Sequence, residues 1–271
     1  MARHALDLEA VMLGIAATAL FATMLLAAPA EPIPQSAEAA SQLVAGDAAL
    51  ARLDLRAAVV AFRAAVGVAH ASYEAAWKLA RALADSATLS QDRQEQKKFC
   101  TEAEGFARKA VLLDPAGAKG HDYLAIALGK LALFEGGKRK VELSKEVEAE
   151  AEKALERDPN DDLALHVLAI WNRELVQLNW FLRQAAQVLY GRLPQASLDA
   201  AIADLERASE LRPDVIPHHV EFGITLEAAR RWPEARAELE KALALPTGWV
   251  TDDYYRGLAR THLARVRAHL E

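Results

Sequence analysis

With 271 residues, 52% of them hydrophobic and 26% charged, the chain can bury a continuous core and falls outside the disordered class. Its 32 basic against 38 acidic residues leave a net charge of -6. That argues against a general affinity for nucleic acid, which needs a basic field. Cys100 is the single cysteine, so no disulfide can form within the chain.

Residues 1–30 differ from the rest. Arg3 and His4 precede an uncharged run over residues 10–30, and Ala28-Pro29-Ala30 has the small-x-small form of a cleavage site. Glu31-Pro32-Ile33-Pro34 then stops any helix, because neither proline has an N–H to donate. The segment reads as a secretory signal. Asp7 and Glu9 offset its positive start, and its length approaches the roughly 18–20 residues that span a bilayer, so a retained N-terminal anchor is the other reading. Either way the expectation is a protein exported to the periplasm or held at the membrane, with residues 31–271 as its body.

Beyond this segment helix follows helix. Ser36 is placed to cap the first, and Leu43, Val44, Ala48, Leu50 and Leu53 give it an apolar stripe. Gly46-Asp47 falls where a close helix contact tolerates no side chain. The next hairpin carries Tyr73, Trp77, Leu79 and Leu83 on one helix, a loop over 88–93, and a second helix over 94–113. Pro115 closes it, with Asp114 biased away from helix by the proline after it.

A pattern then recurs: Ala103, Ala107, Ala110, Pro115; Val147, Ala151, Ala154, Pro159; Ala201, Leu205, Ala208, Pro213; and Ala235, Leu239, Ala242, Pro246. Ala58, Phe62 and Ala65 form an earlier copy without the proline. Spacings of four and three put these residues on one helical face. Six, nine and ten residues past three of the prolines stand His121, Leu124, Ala125; Leu165, Leu168, Ala169; and His219, Phe222, Gly223. Together the two patterns resemble the tetratricopeptide repeat, whose period is about 34. The resemblance implies an all-α, right-handed superhelical solenoid of α-α hairpins.

Two stretches exceed that period. The first excess, between Pro115 and Pro159, falls on Phe134-Glu135-Gly136-Gly137-Lys138-Arg139-Lys140, read as a glycine-hinged basic loop. The second, between Pro159 and Pro213, is read as a helical insertion around residues 171–195 that includes Trp171, Leu175, Leu178, Phe181, Leu182, Val188 and Leu189. It ends at Gly191 with Pro194 beyond.

These stretches carry a narrower likeness. Gly136-Gly137-Lys138, Ala154-Leu155-x-x-Asp158-Pro159, His166-x-x-x-Ile170-Trp171, Trp180-x-x-Arg183 and Tyr190-Gly191-x-x-Pro194-x-Ala196-Ser197 resemble the regulator of microtubule dynamics family, as do Leu245-Pro246 and Asp252-Asp253. The resemblance implies a non-enzymatic binding role; animal members are linked to microtubules, and one binds and transfers phospholipid. An export signal would put this chain where no tubulin exists, so fold and groove carry over rather than that partner.

Candidate binding residues are His166, Trp171, Trp180 and Arg183, which either line a concave pocket or pack the insertion against the repeats. Lys138, Arg139 and Lys140 either seat an anion or form a solvated loop. Adjacent His218 and His219 point about 100° apart on a helix and make no metal site. Cys100 either has its pKa lowered by Lys97 and Lys98 beside it or is an incidental thiol. No Walker loop, dinucleotide glycine triplet, HExxH or Gly-x-Ser-x-Gly occurs, so neither catalysis nor a cofactor is expected. Two functions are carried forward: a scaffold that binds a protein or peptide in its concave groove, and a phospholipid or apolar-ligand carrier.

Overall fold

Short polar side chains start the helices and prolines end them. Asp54, Ser72, Asp92, Asp161 and Ser197 each accept a hydrogen bond from a backbone N–H two or three residues on, satisfying donors that the first turn leaves unpaired. Before Pro115, Pro159 and Pro213 the last N–H, from Asp114, Asp158 and Arg212, returns to the carbonyls of Ala110, Ala154 and Ala208 at 2.9, 2.9 and 3.0 Å. Those acceptors are the third small residues of the repeated pattern.

A computed structural model describes residues 37–178, 187 and 196–271, and among them no strand occurs. The helices described are α1 Ala37–Ala51, α2 Leu55–Val68, α3 Tyr73–Leu89, α4 Arg93–Leu113, α5 Ala118–Ala132, α6 Gly137–Arg157, α7 Asp162–Gln177, α8 Leu198–Leu211, α9 Ile216–Ala228, α10 Trp232–Ala244 and α11 Asp252–Ala268. Residues 1–30 and the Ser36 cap lie outside the described residues.

Hairpins pair α1 with α2, α3 with α4, α5 with α6, α7 with α8 and α9 with α10, and α11 closes the stack. From α3 onward each odd-numbered helix also approaches the next odd-numbered one, whereas the even-numbered helices do not come comparably near each other. The layer of odd helices is therefore the inner wall of a curved stack. Ala58, Phe62, Ala65, Ala103, Ala107, Ala110, Ala151, Ala154, Ala201, Leu205, Ala208, Ala235, Leu239 and Ala242 are wholly buried, as the repeat register requires. Two joints are tighter still. A methyl at Gly223 would stand 2.5 Å from Leu239 Cγ, and one at Gly46 would collide with the Phe62 ring.

The histidines six residues past proline have a definite job. His121 joins the Pro115 carbonyl (3.1 Å) to Glu150 on α6 (2.6 Å), and His219 joins the Pro213 carbonyl (3.1 Å) to Glu238 on α10 (2.7 Å). In the intervening repeat Leu165 takes the histidine's place, and Asp204 stands where Glu150 and Glu238 stand. With no imidazole beside it, the Asp204 carboxyl is pushed by burial up to about 6.

Three expectations need correction. Lys138, Arg139 and Lys140 are not a loop but the first turn of α6. Gly137, at φ 51, turns the chain, and Glu142 then pairs with Lys138 and Arg139 along the helix, each at 3.6 Å. The extra residues lengthen α6 to 21, against 14 and 13 for α8 and α10. Trp171 belongs to α7, the ordinary first helix of its hairpin, which runs unbroken from Asp162 to Gln177, and its indole N–H is taken by the Ser144 carbonyl on α6 at 2.8 Å. Thr88 belongs to α3, its hydroxyl donating to the Ala84 carbonyl.

Gly223→Ala should cost about 1–3 kcal/mol in urea unfolding, by overpacking the joint with Leu239; unchanged stability would misplace that joint. His219→Leu, a residue that position 165 shows to fit, should also cost about 1–3 kcal/mol by stranding the Glu238 carboxylate. A neutral result would mean that the imidazole holds nothing together.

Candidate functional site

Along the inner wall, helical spacing gathers polar side chains into rows. Arg81, Asp85 and Thr88 share a face of α3, Tyr123 and Lys130 one of α5, His166 and Arg173 one of α7, and His218, Glu221 and Thr225 one of α9. Most bond from one inner helix to another. The Lys130 ammonium donates to Thr88 Oγ1 at 2.6 Å, and Trp77 stacks on Tyr123 with ring centres 5.8 Å apart. His218 bonds His166 through the two Nδ1 atoms at 2.9 Å and Asp162 through Nε2 at 2.8 Å. Arg173, only 6% exposed, donates to Glu221 Oε2 at 2.7 Å and to Thr225 Oγ1 at 3.2 Å.

Charges so enclosed persist only when paired, since removing one partner from water and leaving the other is costly. Burial, followed by the neighbouring His218, holds His166 well below the usual imidazole value, so that ring stays neutral near neutral pH. Burial works to raise Asp162, but the bond and charge of His218 together with Arg212 and Lys119 hold it below the usual carboxylate value.

The wall closes on its own C-terminal segment. Trp249, between α10 and α11, donates its indole N–H to Asp85 Oδ2 at 3.0 Å, and the Arg81 guanidinium lies 3.7 Å over its ring. Asp252 Oδ2 fixes this turn by accepting the Gly248 and Trp249 N–H groups at 2.7 and 2.8 Å. Burial pushes the Asp85 carboxyl up to about 6 in spite of Arg81 and Trp249.

Beside this closure a cavity of about 610 Å³ is lined by Thr88, Gln96, Lys130, Glu221, Tyr255 and Leu258, among others. Burial holds Lys130 below the usual lysine value and drives the Tyr255 hydroxyl far up. Cys100 also faces the cavity. Its thiol is raised by burial rather than lowered by Lys97 and Lys98, a correction to the expected direction.

The profile of the family described as regulator of microtubule dynamics protein 1-3 matches residues 46–265. The chain belongs to that family. Regulator of microtubule dynamics protein 1 of Bos taurus is 32% identical over 142 residues, which are 52% of this chain and 45% of that protein. The Caenorhabditis elegans protein of the same name is 28% identical over 176 residues, 65% of this chain and 77% of that protein. The chain spans less than half of the bovine relative. Among solved structures, the tetratricopeptide-repeat protein TTC0263 of Thermus thermophilus superposes with a TM-score of 0.61 at 18% identity, covering 83% of this chain and 99% of that one. At that identity the likeness shows the fold, a tetratricopeptide-repeat solenoid.

Within this member of the regulator of microtubule dynamics family, those of the expected site residues that are described stand apart from one another. His166 stands on the inner wall, spent on His218. Trp171 faces α6. Lys138, Arg139 and Lys140 lie exposed or half-exposed at the start of α6, and Trp180 and Arg183 lie outside the described residues. The separate histidine assignments of the sequence hold: His218 and His219 diverge to different partners. Asp85, Lys130, Arg173 and Glu221 are not among the expected residues, although charged residues set on the otherwise small or apolar first helices of the hairpins are a usable signal; Trp249, in a connecting turn, carries none.

The Asp85 shift fixes a sign. A carboxyl raised from 3.8 to about 6 favours the folded state below the ordinary value, and that contribution is lost as pH rises through 6. Asp85→Asn, which keeps an acceptor for Trp249, should therefore raise the melting temperature at pH 8 and leave it nearly unchanged at pH 4. Destabilisation at pH 8 would mean that Arg81 holds a true ion pair there.

Proposed function

We propose that this chain is a non-enzymatic scaffold whose inner wall holds a segment of a partner protein. The observation that carries the reading is the mixed lining of that wall: hydroxyls, an amide, an ammonium and apolar side chains around one cavity, on helices already fixed to one another. A preformed surface of this kind leaves little ordering cost to binding. The phospholipid alternative draws less support. It calls for an apolar tunnel near Trp171 and Trp180; the Trp171 indole N–H is held by Ser144, and Trp180 lies outside the described residues. The names of the relatives concern microtubule dynamics; the present reading commits to a protein segment and not to tubulin. The uncharged run over residues 10–30 supports placing this scaffold at or beyond a membrane.

Panning a random peptide library on the purified protein tests this. Selected peptides should slow hydrogen exchange in α3, α5 and α9, and Tyr254→Ala, at a half-exposed residue of the cavity lining, should weaken them by about tenfold, or about 1.4 kcal/mol. No enriched peptide, together with phospholipid co-purifying in mass spectra, would favour the carrier instead.

A further inference from the structure

The charges around the cavity do not balance. Arg173 is spent on Glu221, and Arg81 stands by Asp85, whose carboxyl is partly protonated near pH 6. Lys130 is left with a neutral partner, Thr88 Oγ1, and an ammonium has three protons to donate. Burial depresses its pKa in spite of Asp85 and Glu221, the mark of a cation that its surroundings undercompensate. The same lining includes the hydroxyls of Tyr254 and Tyr255, that of Ser90, which donates to Glu95, and the apolar side chains of Leu89, Leu133, Phe134 and Leu258.

We infer that this cavity binds a free carboxylate at the end of an apolar chain, with Lys130 taking the carboxylate and Leu133, Phe134 and Leu258 cradling the chain. Lys130 donates to one carboxylate oxygen while keeping its bond to Thr88. Of the hydroxyls in the same lining, those of Tyr254 and Tyr255 are the donors for the other, in place of hydrogen bonds that the anion loses with water. A phosphate dianion would bring a second charge that no further free cation among the described residues around the cavity meets. At about 610 Å³ the space fits a ligand of small-molecule size. Such an end occurs on a protein's C-terminus and on a fatty acid. The first source rests on the scaffold reading above.

Calorimetric titration of the full chain with matched pairs tests it: decanoate against decanamide, and an acetylated Gly-Ser-Leu-Leu peptide with a free against an amidated C-terminus. At least one acid should bind about tenfold or more tightly than its neutral twin. Lys130→Met should abolish that preference while circular dichroism and melting remain close to the parent. If that variant does not fold, the acid-against-amide comparison on the unaltered protein decides alone. Preference in the peptide arm identifies a C-terminus, and preference in the decanoate arm a fatty acid. Equal binding of acid and amide, or no binding by any of the four, overturns the inference. Peptides from the library that still protect the inner helices would then leave the scaffold reading standing; their absence would remove both.

Discussion

Gly46 and Gly223 sit where one added methyl would drive into Phe62 and Leu239, and alanines hold the corresponding places in the other hairpins. This close approach of paired helices is the constraint on which the rest depends. Small residues let two helices meet at backbone distance, and a wide apolar contact of this sort is felt at the level of a single methylene. Because each hairpin repeats it, the stack propagates with a set offset. The prolines then turn the chain at the same point of each cycle, and the imidazoles of His121 and His219 lock that turn to the second helix of the hairpin.

What the constraint produces is an inner wall of neighbouring first helices. Side chains at spacings of three, four and seven on those helices face one another across the joints, so ionisable groups can be buried if their partners arrive from the next repeat. Arg173 with Glu221, and His218 with His166 and Asp162, are such pairs. They contribute more to the register between repeats than to net stability, since desolvation offsets much of their attraction. Where the pairing runs short, at Lys130, the wall keeps a charge available to something else.

The repeated alanines and prolines were legible because their chemistry is local: a small residue at a crossing and a ring that ends a helix have the same meaning in every copy. The histidines after proline were visible as a spacing but not as tethers, since Glu150 and Glu238 lie on the partner helix. Lys138, Arg139 and Lys140 were misread because two glycines look like a hinge, whereas one of them in a left-handed conformation begins a helix that Glu142 then supports. Trp171 was assigned to an insertion because period counting places an excess without saying on which side of a residue it falls. The closure of the wall had no signal at all. Trp249 and Asp85 stand 164 positions apart, and only the curvature of the whole stack brings them together.

That closure is where the account can be tested most directly, because it requires the register of every joint between α3 and α11 to be right. The indole N–H resonance that disappears in Trp249→Phe should exchange slowly with water, and its chemical shift should titrate with a midpoint near 6 as the Asp85 carboxyl takes up its proton. An indole that exchanges as freely as an exposed one, and is indifferent to pH over that range, would contradict the closed inner wall.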